Sequence, residues 1–147
     1  MTEPENPPET PAVRRPVACV AAIVWRGDEV LLIRRGKPPR MGDWSIPGGR
    51  MEFGEMMRPA TQREVREETR CEIEIAGLCD VIDSAVEGFH AVVIDFNARW
   101  ISGEPVAGDD ALEARFVKLD DVKTYVTWPE TLRIIKLSAQ QMDIPTA

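Results

Sequence analysis

The chain has 147 residues, of which 44% are hydrophobic and 29% are charged, a composition typical of one globular domain with a real core. Its net charge of −7 argues against binding to long nucleic acids, which depends on basic surfaces. Three cysteines without CxxC spacing indicate reduced thiols and no zinc site. Since no apolar run or signal peptide stands out, we expect a cytoplasmic protein without a membrane partner.

The predicted elements begin after a proline-rich leader. Residues 1–16 contain little that could pack, so we expect them to be disordered and the single domain to cover residues 17–147. The β-branched run 17–24 predicts a first strand, and residues 29–35 predict a second. The turn residues 25–28 between them predict a β-hairpin.

A helix is predicted over residues 55–69, with a proline tolerated in its first turn. Three strand-like segments follow, namely CEIEIAGL, CDVIDSA and residues 91–101. A loop over 103–110 precedes a last strand over EARFVKL, and a closing helix covers ETLRIIKLSAQQ, with Leu132 and Ile135 facing the core. Because strands and helices mix without a regular βαβ rhythm, we expect an α/β domain with a mixed sheet.

Three glutamates, Glu64, Glu67 and Glu68, lie close together on the predicted 55–69 helix. At 100° per residue, the first and last of them fall on the inward side and Glu67 on its flank. The inward side is otherwise defined by Met57, Ala60, Thr61 and Val65, and the solvent side by Arg58, Gln62, Arg66 and Thr69. A buried, unpaired carboxylate costs several kcal/mol, so such groups must be protonated, paired or bound to metal. Mg²⁺ meets this need, because it binds carboxylates, waters and substrate phosphates.

The whole stretch from Gly48 to Cys71 resembles the Nudix box. The matching positions are Gly49, Glu55 and the run Arg63-Glu64-Val65-Arg66-Glu67-Glu68, preceded by the lead-in Trp44-Ser45-Ile46-Pro47-Gly48-Gly49. The resemblance implies an α/β/α sandwich with a mixed central sheet. It also implies Mg²⁺- or Mn²⁺-dependent hydrolysis of a nucleoside diphosphate linked to another group.

The same resemblance implies roles for individual residues. Metal ligands would be Glu64, Glu67, Glu68 and the carbonyl of Gly48, with Glu52 as a possible further acid. Glu55 and Arg63 would hold the loop and the helix together, and Arg63 would also orient a ligand carboxylate. Arg70 departs from the family pattern, which usually has glycine there. We therefore expect the helix to end differently, with no metal ligand lost.

Catalysis and substrate binding require further groups outside the helix. Asp110 is the preferred catalytic base, because it resembles in position a metal-binding acid before the final strand of nucleotide-sanitising family members, and Glu113 and Asp109 are the alternatives. Candidate phosphate-binding residues are Arg34, Arg35 and Arg50, and candidates for stacking on a base are Trp44 and Phe53. His90, the sole histidine, is assigned a structural or surface role.

The substrate is inferred from features outside the box. Signatures of dinucleoside polyphosphate and NADH hydrolases are absent, as is the downstream proline of some ADP-ribose hydrolases. The segment GDDALEARF nevertheless resembles compact bacterial proteins labelled ADP-ribose pyrophosphatase-like or MutT-like. We expect ADP-ribose or a related sugar nucleotide, with nucleoside triphosphate pyrophosphohydrolysis as the alternative. A nucleotide sensor without turnover is the non-enzymatic alternative. The resemblance also allows a homodimer, because dimers are frequent in the family, but the sequence itself does not decide the oligomeric state.

Overall fold

The computed structural model describes residues 14–145 of the chain, so residues 1–13 of the predicted leader lie outside the described residues. The strands are β1 (Val17–Arg26), β2 (Glu29–Arg35), β3 (Trp44–Ser45), β4 (Gly48–Arg50), β5 (Glu72–Val86), β6 (Phe89–Ser102) and β7 (Ala111–Lys118). The helices are α1 (Met57–Thr69), α2 (Val122–Tyr125) and α3 (Pro129–Gln141). Within residues 14–145, no helix is long and apolar enough to cross a membrane.

All these strands belong to one mixed sheet. Its main path runs in the order β3-β2-β1-β6-β5, while β4 pairs with β1 and β7 pairs with β2. β1 and β6 are parallel, and β1 and β2 form the predicted antiparallel hairpin. The antiparallel pairing of β4 with β1 places Gly48 beside Ala21 and Gly49 beside Val20. The glycine pair is thus held against the central strand of the sheet.

Helices cover both faces of the sheet, which explains why its inner strands are apolar on both sides. On one face, Val65 of α1 packs with Val24 and Ala98. On the other face, Ile135 of α3 packs with Ile23. Neighbouring residues of β1 belong to different clusters because successive side chains of a strand point to opposite faces. This layering confirms the predicted α/β/α sandwich with a mixed central sheet.

Two predicted strand boundaries were wrong. CEIEIAGL and CDVIDSA are not separate strands but parts of the continuous strand β5. β5 stays paired with β6 along its length because irregularities between Ile75 and Gly77 and between Leu78 and Asp80 absorb the shifts in register. The last strand, β7, begins at Ala111 rather than at Glu113.

The two ends of α1 also differ from the prediction. The helix begins at Met57 rather than Glu55, and the Met57 side chain is 46% exposed although it was predicted to face the core. Thr69 was assigned to the solvent side but is fully buried, and its hydroxyl donates to the Val65 carbonyl at 2.6 Å. The Val106 amide donates to the Thr69 carbonyl, so a loop covers this end of the helix. Helical periodicity alone cannot predict this tertiary contact.

Arg70 ends α1 in the left-handed conformation, with φ of 65° and its amide donating to the Arg66 carbonyl at 2.9 Å. The expectation that arginine would change the helix end was therefore wrong. The chain keeps the cap that glycine would adopt easily and accepts a conformational cost of roughly 1–2 kcal/mol.

Candidate active site

The glycine pair of β4 lets the backbone approach both β1 and α1. A Cβ atom at Gly48 would collide with the Val20 carbonyl and with Ala21, and one at Gly49 would collide with the Glu64 carboxylate. At Gly48 a larger residue would push β4 away from β1, and at Gly49 it would displace the Glu64 carboxylate. Close packing, not a positive φ angle, favours glycine at both positions.

Glu68 is the most deeply buried acid of α1, with 7% of its surface exposed. One of its carboxylate oxygens accepts a hydrogen bond from the Gly48 amide at 3.3 Å. Burial, and then the neighbouring Glu64 carboxylate, raise the pKa of Glu68 to about 8. Among residues 14–145 Glu68 forms no salt bridge. A buried carboxylate without a salt-bridge partner is poised to receive a cation.

Arg63 organises the remaining acids of the helix. Its Nε and Nη2 atoms bond both oxygens of Glu55 at 2.6 and 2.9 Å, a bidentate pair that lowers the pKa of Glu55 to about 2. Its Nη1 atom bonds Glu64 and Glu67, each at 3.0 Å. Burial raises the pKa of Glu64, and Arg63 opposes that shift. Arg63 also donates to the Arg50 carbonyl at 3.1 Å, which ties α1 to β4.

The donor set of α1 suits a hard divalent cation, since it consists of carboxylate oxygens beside a backbone turn. As they stand, no three acidic, histidine or cysteine side chains within the described part of the chain are grouped to hold a metal ion. Glu64 and Glu67 both bond Arg63, each through one carboxylate oxygen. The residues fit a metal chemically, since the other oxygen of each carboxylate is not bonded to Arg63.

The loop before β7 is docked on the C-terminal end of α1. The Gly108 amide donates to the Glu68 carbonyl at 3.0 Å, which satisfies a carbonyl that the helix leaves unpaired. Asp110 follows, and its carboxylate forms a salt bridge of 2.6 Å with Lys37. The Gly36 amide bonds the Asp110 carbonyl at 2.8 Å. Helix α1, this loop and the β2–β3 loop therefore meet at one place.

A cavity of about 610 Å³ lies between these elements. Its lining includes nine of the candidate residues, namely Arg35, Gly48, Arg50, Glu52, Arg63, Glu64, Glu67, Glu68 and Asp110, and the alternative base Asp109. Cationic and carboxylate side chains both line this cavity. Such a surface can bind an anionic phosphate chain together with a metal ion.

Five other candidates lie outside the cavity lining. Arg34 points away from Arg35, as alternation along β2 requires, and pairs with Glu113 at 3.5 Å. Trp44 packs edge-to-face on Tyr125 in the core, with ring centroids 5.3 Å apart. Phe53 is fully exposed, and so is much of His90, which matches the surface role given to it.

Three cavity residues were missed from the sequence. Lys37 lines the cavity and pairs with Asp110. Arg40 places its guanidinium 4.4 Å from the centroid of the Trp128 ring. Asp95 is an acid in the middle of the apolar run AVVIDF, and that interruption is the signal that could have identified it.

Comparison with known proteins matches residues 14–137 to the model of the NUDIX domain family. The chain belongs to the Nudix family. Its members hydrolyse pyrophosphate bonds, so the predicted family and the predicted enzyme class are both confirmed. The glutamates whose loss would suggest a nucleotide sensor without turnover are all present.

Individual Nudix relatives carry different names. An ADP-ribose pyrophosphatase from Methanocaldococcus jannaschii is 33% identical over 77% of this chain and 75% of its own length. The human 8-oxo-dGDP phosphatase NUDT18 is 32% identical over 92% of this chain, which spans only 43% of that protein. The crystal structure of a MutT NUDIX hydrolase from Burkholderia pseudomallei superimposes with a TM-score of 0.75, at 30% identity, over 84% of this chain and 98% of the other.

Proposed function

We propose that the protein hydrolyses a pyrophosphate bond in a nucleoside diphosphate linked to a further group, with Mg²⁺ or Mn²⁺ held by α1. The observation that carries this proposal is the buried Glu68 carboxylate. It lies beside Glu64, accepts one hydrogen bond from Gly48 and has a pKa raised by burial. A bound divalent cation would offset the cost of burying this charge, which explains why several acids are clustered here.

The glutamates Glu64, Glu67 and Glu68 would bind the cation with the Gly48 carbonyl, and the exposed Glu52 is a further candidate ligand at the rim. When bound, the metal neutralises charge on the pyrophosphate and lowers the pKa of an attacking water. Arg63 already contacts two of these glutamates, at 3.0 Å each, and would orient them.

Phosphate oxygens would bind Arg35 and Arg50, both of which line the cavity. Guanidinium groups suit this task because their N–H groups form two parallel bonds to phosphate. Asp110 is the proposed general base. Its carboxylate lines the cavity near Lys37, whereas the alternative Glu113 pairs with Arg34 outside the lining. Asp109 remains the second candidate for the base.

ADP-ribose or a related sugar nucleotide is the first proposed substrate class. The support is the archaeal relative named ADP-ribose pyrophosphatase, which matches along most of its own length. The second is a nucleoside di- or triphosphate, including oxidised forms, and its support is the likeness to NUDT18 along 92% of this chain. The two classes differ in their products, AMP and a sugar phosphate for ADP-ribose, against a nucleoside monophosphate with phosphate or pyrophosphate.

The decisive experiment is a hydrolysis panel with Mg²⁺ and Mn²⁺, with products separated by chromatography. The panel contains ADP-ribose, other sugar nucleotides, dinucleoside polyphosphates, nucleoside di- and triphosphates and 8-oxo-dGDP. We expect metal-dependent cleavage that is strongest for one class. Turnover that persists in excess EDTA, or no turnover on any compound, would overturn the proposal.

A further inference from the structure

Asp95 is a buried acid that the reaction described above does not use. It lies on β6 between Ala21 of β1 and Asp80 of β5 in the sheet register. Only 1% of the residue is exposed, yet it lines the same cavity as the α1 glutamates. Neither of its carboxylate oxygens accepts a hydrogen bond from any residue in the described part of the chain. Burying an ionised carboxylate without a partner costs free energy of folding, and burial raises the pKa of Asp95 to about 7.

The charged groups near Asp95 do not neutralise the charge of its carboxylate. Asp80, on the neighbouring strand, and Glu130, at the start of α3, repel the ionised form, and Arg133 of α3 attracts it. Arg133, however, is already bonded to Glu130 at 2.6 Å and to Asp80 at 3.1 Å. Burial and the Asp95 carboxylate raise the pKa of the neighbouring Cys79 thiol, and a thiol carries no positive charge that could neutralise Asp95. Asp95 is therefore left without a partner from β5 or α3.

Asp95 and Gly48, whose amide bonds Glu68, lie on opposite sides of Ala21 in the sheet register, so Asp95 and the α1 glutamates line different parts of one cavity. The charges that act on Glu68 are Glu64, Arg35 and Lys37, whereas those that act on Asp95 come from β5 and α3. From the elements around Asp95, namely β1, β5, β6 and α3, the cavity lining includes small or apolar groups and two hydroxyls: Ala21, Ile82, Ser84, Val93, Thr131 and Ile134. This part suits a flat, largely apolar ring with a polar edge.

We propose that Asp95 is a specificity-determining residue that hydrogen-bonds the amino edge of a purine, an exocyclic amine next to a ring nitrogen. This inference rests on the proposed function, because it places the base at the Asp95 part of the cavity when the phosphates lie beside α1. Both adenine and guanine carry such an edge. A neutral carboxyl matches adenine, since it donates to the ring nitrogen and accepts from the amine. A carboxylate matches guanine, since it accepts from N1–H and from the amine.

The test uses equilibrium binding of α,β-methylene analogues, which resist hydrolysis, so the readout is independent of turnover. The diphosphate analogues of adenosine, guanosine, inosine and purine riboside are titrated with Mg²⁺ into wild type, Asp95→Asn, Asp95→Val and the matched control Asp83→Asn. Asp83 is an exposed acid on β5 outside the cavity lining. Asp95→Val should weaken binding of the preferred amine-bearing base roughly 10- to 100-fold and change purine riboside little.

Asp95→Asn separates the two bases, because an amide donates and accepts like a neutral carboxyl. It should keep affinity for the adenosine analogue and lose affinity for the guanosine analogue. Asp83→Asn should change neither. Equal losses for amine-bearing and amine-free analogues, or wild-type affinity in Asp95→Val, would overturn the inference while leaving the proposed function intact. Failure of every analogue to bind wild-type protein would overturn both.

A second readout excludes a structural role. Since the carboxylate has no hydrogen-bond partner among residues 14–145, Asp95→Val and Asp95→Asn should unfold at the same or a higher temperature than wild type without ligand. A lower unfolding temperature for both variants would mean that Asp95 supports the fold, and the inference would be wrong.

Discussion

Glu68 and Asp95 are two buried acids in one cavity, but their surroundings differ. Glu68 accepts a backbone hydrogen bond from Gly48 and belongs to a cluster of glutamates around Arg63. Asp95 stands alone on β6 without a hydrogen-bond partner among residues 14–145. Clustered carboxylates can bind a metal ion, whereas a single acid in an apolar wall can hydrogen-bond the polar edge of a ring. The contrast divides the cavity into a proposed reaction end and a proposed recognition end.

The largest expected effect is a loss of activity when a carboxylate of the reaction end is removed. Glu64→Gln removes a carboxylate from the cluster and should lower kcat/KM by roughly 10²- to 10³-fold, as loss of one preorganised electrostatic group does in other enzymes. The matched control is Glu74→Gln, an exposed glutamate on β5 that should keep wild-type activity. Steady-state kinetics on the best compound of the panel measures both. A Glu64→Gln protein with wild-type activity would remove this residue from the site.

The second expected effect concerns the recognition end, where Asp95 should make the stability of the protein depend on pH. The pKa of Asp95 rises from 3.8 to about 7 on folding, so the folded state holds a proton that the unfolded state has lost. Stability of the wild type should therefore fall as pH rises through that window. Asp95→Asn should be more stable than wild type at pH 8, by up to about 4 kcal/mol, and the gap should nearly close by pH 4. Denaturant unfolding across pH measures the gap, and a gap that does not depend on pH would contradict this account.

A third change probes the close contact between β4 and α1. Gly49→Ala places a methyl group against the Glu64 carboxylate, and we expect roughly a 10-fold loss of kcat/KM through displacement of that acid. Shortening the acid in the double variant Gly49→Ala/Glu64→Asp tests the cause. Additive losses in the double variant would show that the two positions do not interact.

The smallest effect concerns the end of α1. Arg70→Gly should stabilise the protein by about 1 kcal/mol, because glycine adopts the left-handed φ of 65° without a Cβ penalty. Activity should be unchanged, since Arg70 is not part of the cavity lining. Thermal unfolding checks the direction, and a lower midpoint would show that the Arg70 side chain makes a stabilising contact.

The reaction end was predictable because it depends on local periodicity. The inward placement of Glu64 and Glu68 follows from their spacing with Val65, and it needs no knowledge of the sheet. Thr69 was misplaced because a distant loop covers it. Arg34 could have been separated from Arg35 by strand alternation alone. Asp95 could not be assigned a role, because its isolation depends on how β6 lies between β1, β5 and α3.

Direct titration of Mn²⁺ tests whether the α1 glutamates hold a divalent cation. Free Mn²⁺ is followed by electron paramagnetic resonance in wild type, Glu68→Gln and the control Glu74→Gln. We expect wild type and the control to bind Mn²⁺ alike, and Glu68→Gln to bind it at least about 10-fold more weakly. Equal Mn²⁺ affinity in Glu68→Gln and wild type would mean that Glu68 does not hold the cation.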